Sequence, residues 1–264
     1  MLTYGSSEPV RSDPAGHYQI VTADPASRPL TVTAPGFQRR ETYLRGGERR
    51  SLDIDLIGHE PAFPFALYRM LARNGHESPQ SVTVAPTSPW TMAPSVYIWT
   101  AWKDTGAPVN NIDWYVAEIT RVIPQLTAGR FSVDRIEYGP TERPTASGWI
   151  NLQFHHSGNW SYVGANPGQV QLGSDHTCNS YAVIHEFGHA MGYWHSNLVP
   201  SVMGGGPGSC TQINLWPDEQ IVARTMYSRP RGNVEPDRDP QGPGLLQAGR
   251  DSATLVRCGR ILRQ

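Results

Sequence analysis

The residues of this 264-residue chain best spaced for chemistry lie in one stretch, His185-Glu186-Phe187-Gly188-His189-Ala190-Met191-Gly192-Tyr193-Trp194-His195. On a helix, His185 and His189 differ by about 40° in azimuth and about 6 Å in rise, so both imidazoles occupy one face. Two neutral imidazoles so placed can share one Zn²⁺. Glu186 follows the first of them and points toward the flank of the metal, where it can take a proton from water instead of binding zinc. In an unbroken helix His195 would lie about 240° around from His189, on the wrong face. It joins the other two only if the helix stops and the chain reverses. Gly192 stands where that break must fall, because glycine accepts the left-handed conformation that ends helices. The pattern therefore predicts His185, His189 and His195 as metal ligands, Glu186 as the catalytic base and Gly192 as the structural support of the site. The competing reading is three histidines with no metal.

This HExxHxxGxxH arrangement resembles the metzincin clan of zinc peptidases. That clan also carries a methionine in a tight turn beneath the metal, and Met203 follows His195 by eight residues, with Gly204-Gly205-Gly206 after it. This spacing, with Ser196 directly after the third histidine, is most similar to the matrixin branch. The resemblance covers about residues 95–228. It implies a zinc-dependent endopeptidase with one catalytic Zn²⁺, acting on a protein or peptide substrate from an extracellular or cell-envelope location. In the astacin and serralysin branches a tyrosine follows the methionine by two residues; Gly205 stands there in this sequence. No tyrosine donor is therefore assigned, and the metal alone would polarise the carbonyl. Two other functions fit the same residues: an inactive metal-binding or adhesion protein on this fold, and a zinc hydrolase of a non-peptide amide. An extended substrate is expected to add a strand at the sheet edge formed by Gln169, Val170, Gln171 and Leu172. The glycine-rich wall from Gly204 to Trp216 would shape the pocket beyond the cut.

Other candidate ligands carry less. His155, His156, His176 and Asp175 lie upstream of the triad, and matrixins hold a second zinc in the comparable region, but the spacing differs. Asp237 and Asp239 offer carboxylates for Ca²⁺, although two acids in a loop-rich tail are ordinarily solvated. Of the three cysteines, Cys178 and Cys210 flank the metal stretch and form the natural disulfide pair; the alternative is three free thiols.

The composition agrees with a loop-rich globular protein. Hydrophobic residues make up 38% and charged residues 17%, with 26 Gly and 23 Pro, which favours β structure with many turns. The net charge is -1, so no electrostatic footprint for nucleic acid exists. No apolar run is long enough to span a membrane. Residues 1–7 lack a basic start and an apolar stretch, so no signal peptide is expected in the chain, which is either cytosolic or begins inside a longer precursor. A monomer is expected.

The elements that must position the site follow from periodicity. Residues 1–60 alternate in short runs at Tyr18–Val21, Leu30–Thr33 and Ser51–Ile57, which reads as a small β-sandwich and resembles a carboxypeptidase-regulatory-like or PEGA-type domain with early strands missing. Residues 61–90 hold a short helix over 62–75 and a proline-rich linker. For residues 91–230 the metzincin resemblance implies a zincin-like α+β domain: a twisted, mostly parallel sheet of four or five strands, two long helices and a closing helix. Strands are predicted at 95–102, 131–138, 149–154 and 169–172, and helices at 111–125, 179–192 and 217–227. Residues 231–264 are a proline- and glycine-rich tail, extended or disordered.

Overall fold

The computed structural model describes residues 1–21, 26–45, 54–59, 61–76, 85–143, 145–173, 178–206, 210–234, 237–241 and 255–258. Alternating sequences make two central strands of its main sheet. In β4 (Ser95–Trp102) the residues Val96 and Ile98 are fully buried, and in β6 (Trp149–Phe154) so are Ile150, Leu152 and Phe154. Numbering in chain order, the elements before these are β1 (Leu2–Tyr4), β2 (Ser27–Val32), β3 (Arg40–Arg45) and α1 (Phe65–Arg73). After β4 come α2 (Ile112–Leu126), β5 (Ile136–Gly139), β6, β7 (Asn159–Tyr162), β8 (Gly168–Leu172), α3 (Ser180–Ala190), α4 (Pro217–Ser228) and β9 (Leu255–Cys258).

The main sheet has the order β5-β4-β6-β8-β7-β9. The ladders β4–β5, β4–β6 and β6–β8 are parallel, whereas β7 runs antiparallel to both β8 and β9. Helices α2 and α3 pack on one another, and their apolar faces share a single core with the sheet: Ile119, Val122, Ile123 and Leu126 from α2, and Val183, Ile184 and Phe187 from α3. Burial of that apolar area is the main term holding the layers together. This is the mixed α/β architecture expected, with a mostly parallel sheet. None of the helices is long and apolar enough to cross a membrane among the described residues.

Four differences from the sequence reading have physical causes. Strand β5 begins at Ile136 instead of Phe131, because the residues before it bond elsewhere. The Phe131 amide donates to Thr127 Oγ1, and the Asp134 amide and carboxylate are taken by Pro94 and Ser95. Helix α1, expected as a short helix ahead of a proline-rich linker, packs into the main core, with Leu67, Tyr68 and Leu71 buried in it. The amino-terminal region is a single three-stranded antiparallel sheet, β1-β2-β3, over a small cluster of Leu2, Tyr4, Leu30 and Val32; no second sheet faces it among the described residues. The runs at 18–21 and 54–57 supply Tyr18, Ile20, Ile54 and Leu56 to that cluster without forming strands, and residues 51–53 lie outside the described ones.

The fourth difference is the segment after α4. Far from being solvated, Asp237 and Asp239 are buried. Asp237 takes both prongs of the Arg229 guanidinium at 2.9 Å, and Asp239 pairs with Arg40 at 3.0 Å. Asn233 donates to both carboxylates, and Arg40 and Arg229 each also donate to the Asp55 carbonyl. Buried charges persist only when paired and hydrogen-bonded, and this cluster ties β3 to the segment that follows α4. It engages both acids with arginines.

Candidate active site

Helix α3 carries the first two histidines and is well begun and well ended. The Asn179 side chain caps it by accepting from the Ala182 amide at 3.0 Å. It is pinned to α2 near its start, where the Ser180 hydroxyl donates to the buried Glu118, which also pairs with Arg121. At the other end the Gly192 amide donates to the His189 carbonyl at 2.8 Å, and the Tyr193 amide donates to the Gly188 carbonyl at 3.0 Å. Those two bonds define a Schellman turn. Gly192 has φ +104°, and a Cβ there would stand 2.6 Å from the Ser88 carbonyl oxygen. The break predicted from spacing is present, and a close approach of backbone adds a second reason for glycine.

The turn brings His195 back to the other two. The three side chains each offer one nitrogen within 4.8 Å of the others, and His189 Nε2 lies 3.2 Å from His195 Nε2. Two nitrogens on a tetrahedral zinc stand about 3.3 Å apart, from the bond length of about 2.0–2.1 Å. The outward nitrogens are also committed. His185 Nδ1 donates to the Val202 carbonyl and His189 Nδ1 to the Tyr193 carbonyl, each at 2.7 Å. A carbonyl can only accept, so Nδ1 carries the proton and Nε2 keeps its lone pair for a metal. Burial pushes the His185 imidazole down to about 4, with His195 adding to that shift and the Val202 bond opposing it. Burial, then the charges of His185 and His195, hold His189 well below the ordinary histidine range. Neutral imidazoles at the buried His185 and His189, with the half-buried His195 beside them, fit a zinc ion. Glu186, between them in sequence, is fully buried.

Met203 lies directly beneath α3. A Cβ on Gly188 would meet Met203 Sδ at 2.5 Å, so the absence of a side chain there lets the turn pack against the helix. Met203 is 1% exposed. Its carbonyl accepts from the Ser196 amide at 3.0 Å, which links the turn to the third histidine. Glu219, in the first turn of α4, holds the same segment from below. Its carboxylate accepts from Ser201 Oγ at 2.7 Å, the Val202 amide at 2.8 Å and the Trp216 amide at 3.0 Å. Val202 is the residue whose carbonyl orients His185. Burial raises the Glu219 carboxyl above the usual carboxylate range, against the lowering effect of these donors.

Nothing in the spacing of the sequence singles out Glu219, because its partners Ser201 and Val202 lie 18 and 17 residues before it. Tyr181 was also missed. It precedes His185 by one turn, its hydroxyl donates to the Gly204 carbonyl at 2.5 Å, and it lies 3.4 Å from His185 Nδ1. The spacing of four residues was the available signal.

The other expected residues fall into place as follows. Cys178 and Cys210 are joined by a disulfide. His155 and His156 flank Asp104; His156 Nδ1 lies 2.8 Å from its carboxylate and the ring stacks on Trp102. Asp175 and His176 lie outside the described residues, as do 207–209 of the wall after Met203. Among the described residues, His185, His189 and His195 form the single three-membered group able to hold a metal. The expected substrate edge needs correction. Gln169–Leu172 belong to β8, which is paired on both sides, by β6 and β7, so the strand outside it is β7.

No curated protein matches the chain. A family model does match, over residues 136–200, about a quarter of the sequence: that of the astacin family of peptidases. The matched stretch runs from β5 through the three histidines and stops before Met203. The matching family is thus the branch that Gly205 argued against, and the matrixin branch is not the one matched. Over this stretch the chain is similar to the astacin peptidases, and with the three-histidine cluster this supports a zinc-dependent metallopeptidase of the metzincin clan.

Proposed function

We propose that the chain is a zinc-dependent endopeptidase in which His185, His189 and His195 hold the metal and Glu186 is the general base. The observation that carries this reading is the commitment of two outward histidine nitrogens to backbone carbonyls while the inward ones converge. When bound, zinc supplies Lewis acidity toward a scissile carbonyl and lowers the pKa of water toward 7. Glu186 takes the proton from the attacking water and delivers it to the departing amine. Its full burial places that carboxylate in a low-dielectric site, where its attraction for a nearby cation is strong. An extended peptide would pair with the outer edge of β7, whose far end meets α3 through the bond from the Gly164 amide to the His189 carbonyl, 2.9 Å. The Cys178–Cys210 disulfide supports an extracellular or envelope location, since such bonds persist in oxidising compartments.

The test is casein cleavage by the zinc-loaded protein. Cleavage should be abolished by a chelator, restored by zinc, and lost in Glu186→Gln although that variant still binds one zinc per chain. A folded, zinc-loaded protein that cuts no peptide bond would refute the peptidase reading and favour an inactive binding protein or a hydrolase of other amides.

A further inference from the structure

Strand β7 is the place where an extended peptide could join the sheet, yet its outer edge is already occupied. Residues Leu255–Cys258 form β9 and pair antiparallel with all four residues of β7: Tyr162 with Leu255, Ser161 with Val256, Trp160 with Arg257 and Asn159 with Cys258. On its inner side β7 pairs with β8 at Trp160 and Ser161. An edge strand presents one row of amides and carbonyls, and a second strand cannot bond to a row already filled. The occupant begins at the end of β7 nearest the metal site: Leu255 faces Tyr162, and two residues beyond Tyr162 the Gly164 amide bonds to the His189 carbonyl.

Residues 255–258 belong to the same chain as β7, so their pairing does not weaken on dilution as that of a free peptide does.

We propose that residues 255–258 act as a built-in occupant of the peptide-binding edge, competing in cis with extended peptides. This rests on the reading above that peptides dock on the outer edge of β7. The plainer role for the same contact is a strand that shields an edge from aggregation, which would protect β7 without excluding any ligand of the site.

The experiment uses the full chain carrying Val256→Pro and Arg257→Pro together. In an antiparallel pair, one of two adjacent residues bonds its amide to the neighbour, so prolines at both positions remove that bond whichever it is. Binding of a fluorescent casein-derived peptide is measured by anisotropy in a Glu186→Gln background, where no turnover interferes, and amide exchange of residues 159–162 is followed by mass spectrometry. The expected result is faster exchange of the β7 amides and a Kd lowered about fivefold or more, reversed by adding a synthetic peptide of residues 251–260. Unchanged β7 exchange would overturn the pairing, and faster exchange with an unchanged Kd would overturn the competition. Failure of the peptidase reading would show separately, as absence of casein cleavage by the wild-type protein, because peptide binding is read without turnover.

Discussion

Replacing Gly192 with alanine tests the site at the point where sequence logic and tertiary structure meet. Gly192 touches no metal, yet two costs attach to any side chain there. Its φ of +104° is a conformation that L residues rarely adopt, and holding one there costs about 1–3 kcal/mol. The new methyl would also stand 2.6 Å from the Ser88 carbonyl oxygen and 3.0 Å from its carbon. Overpacking of that kind costs about 1–3 kcal/mol more. Ser88 is not free to retreat without loss, since its carbonyl also accepts from Arg231. The sum centres on about 4 kcal/mol, which lowers Tm by roughly 8–16 °C for a chain of this size. Zinc affinity should fall as well. The residue after Gly192 supplies the carbonyl that orients His189, and loss of such outer contacts typically costs about 10–100-fold in metal affinity. Urea unfolding of the metal-free protein gives the first quantity, and competition with a chromogenic chelator the second. Gly205→Ala is the control: nothing lies within 4 Å of its Cβ position, and the change should stay within about 0.5 kcal/mol. If Gly192→Ala matched the control in both assays, the claim that this turn delivers His195 would be wrong.

Three further outcomes are expected. Glu219→Ala leaves the Ser201 hydroxyl and the Val202 and Trp216 amides without their acceptor, so unfolding free energy should drop by about 3 kcal/mol or more in urea titrations. Zinc affinity should drop with it, because Val202 orients His185. Glu219→Gln, which keeps the shape and one acceptor oxygen, should recover part of both. Asp239→Ala strands the buried Arg40 guanidinium and should cost about 3–5 kcal/mol in chemical denaturation, with zinc stoichiometry unchanged. Reducing the disulfide, or substituting Cys178→Ser with Cys210→Ser, should lower stability by roughly 3–4 kcal/mol, from the loop it closes across a separation of 32 residues.

The cluster of three histidines was legible because it is local. His185, Glu186 and His189 sit on one helical turn, and the conformational freedom of Gly192 is written in its lack of a Cβ, so a single short stretch of chain carries the whole pattern. The helices and the central strands were legible for the same reason: Val96 and Ile98, or Ile119 and Ile123, repeat at the period of their own element. What failed were features decided by partners distant in sequence. Strand β7 is only four residues long, too short for its alternation to be noticed, and it exists because β8 and β9 bond to it. Nothing in the composition of Gln169–Leu172 says whether that strand is outermost, and β6 and β7 flank it on both sides. Asp239 looks like a solvated tail acid until Arg40, 199 residues before it, is brought against it.

The sequence by itself determined the candidate donors, the helix that carries two of them and the break that lets the third return. Those follow from helical pitch and from the backbone freedom of one glycine. The tertiary structure decided the rest: which carbonyls lock the imidazoles, how Gly188 admits Met203, how Glu219 holds the segment beneath, and which strand forms the edge and what covers it. Each of these depends on long-range packing and on strand order in a sheet, and neither is encoded in the spacing of neighbouring residues.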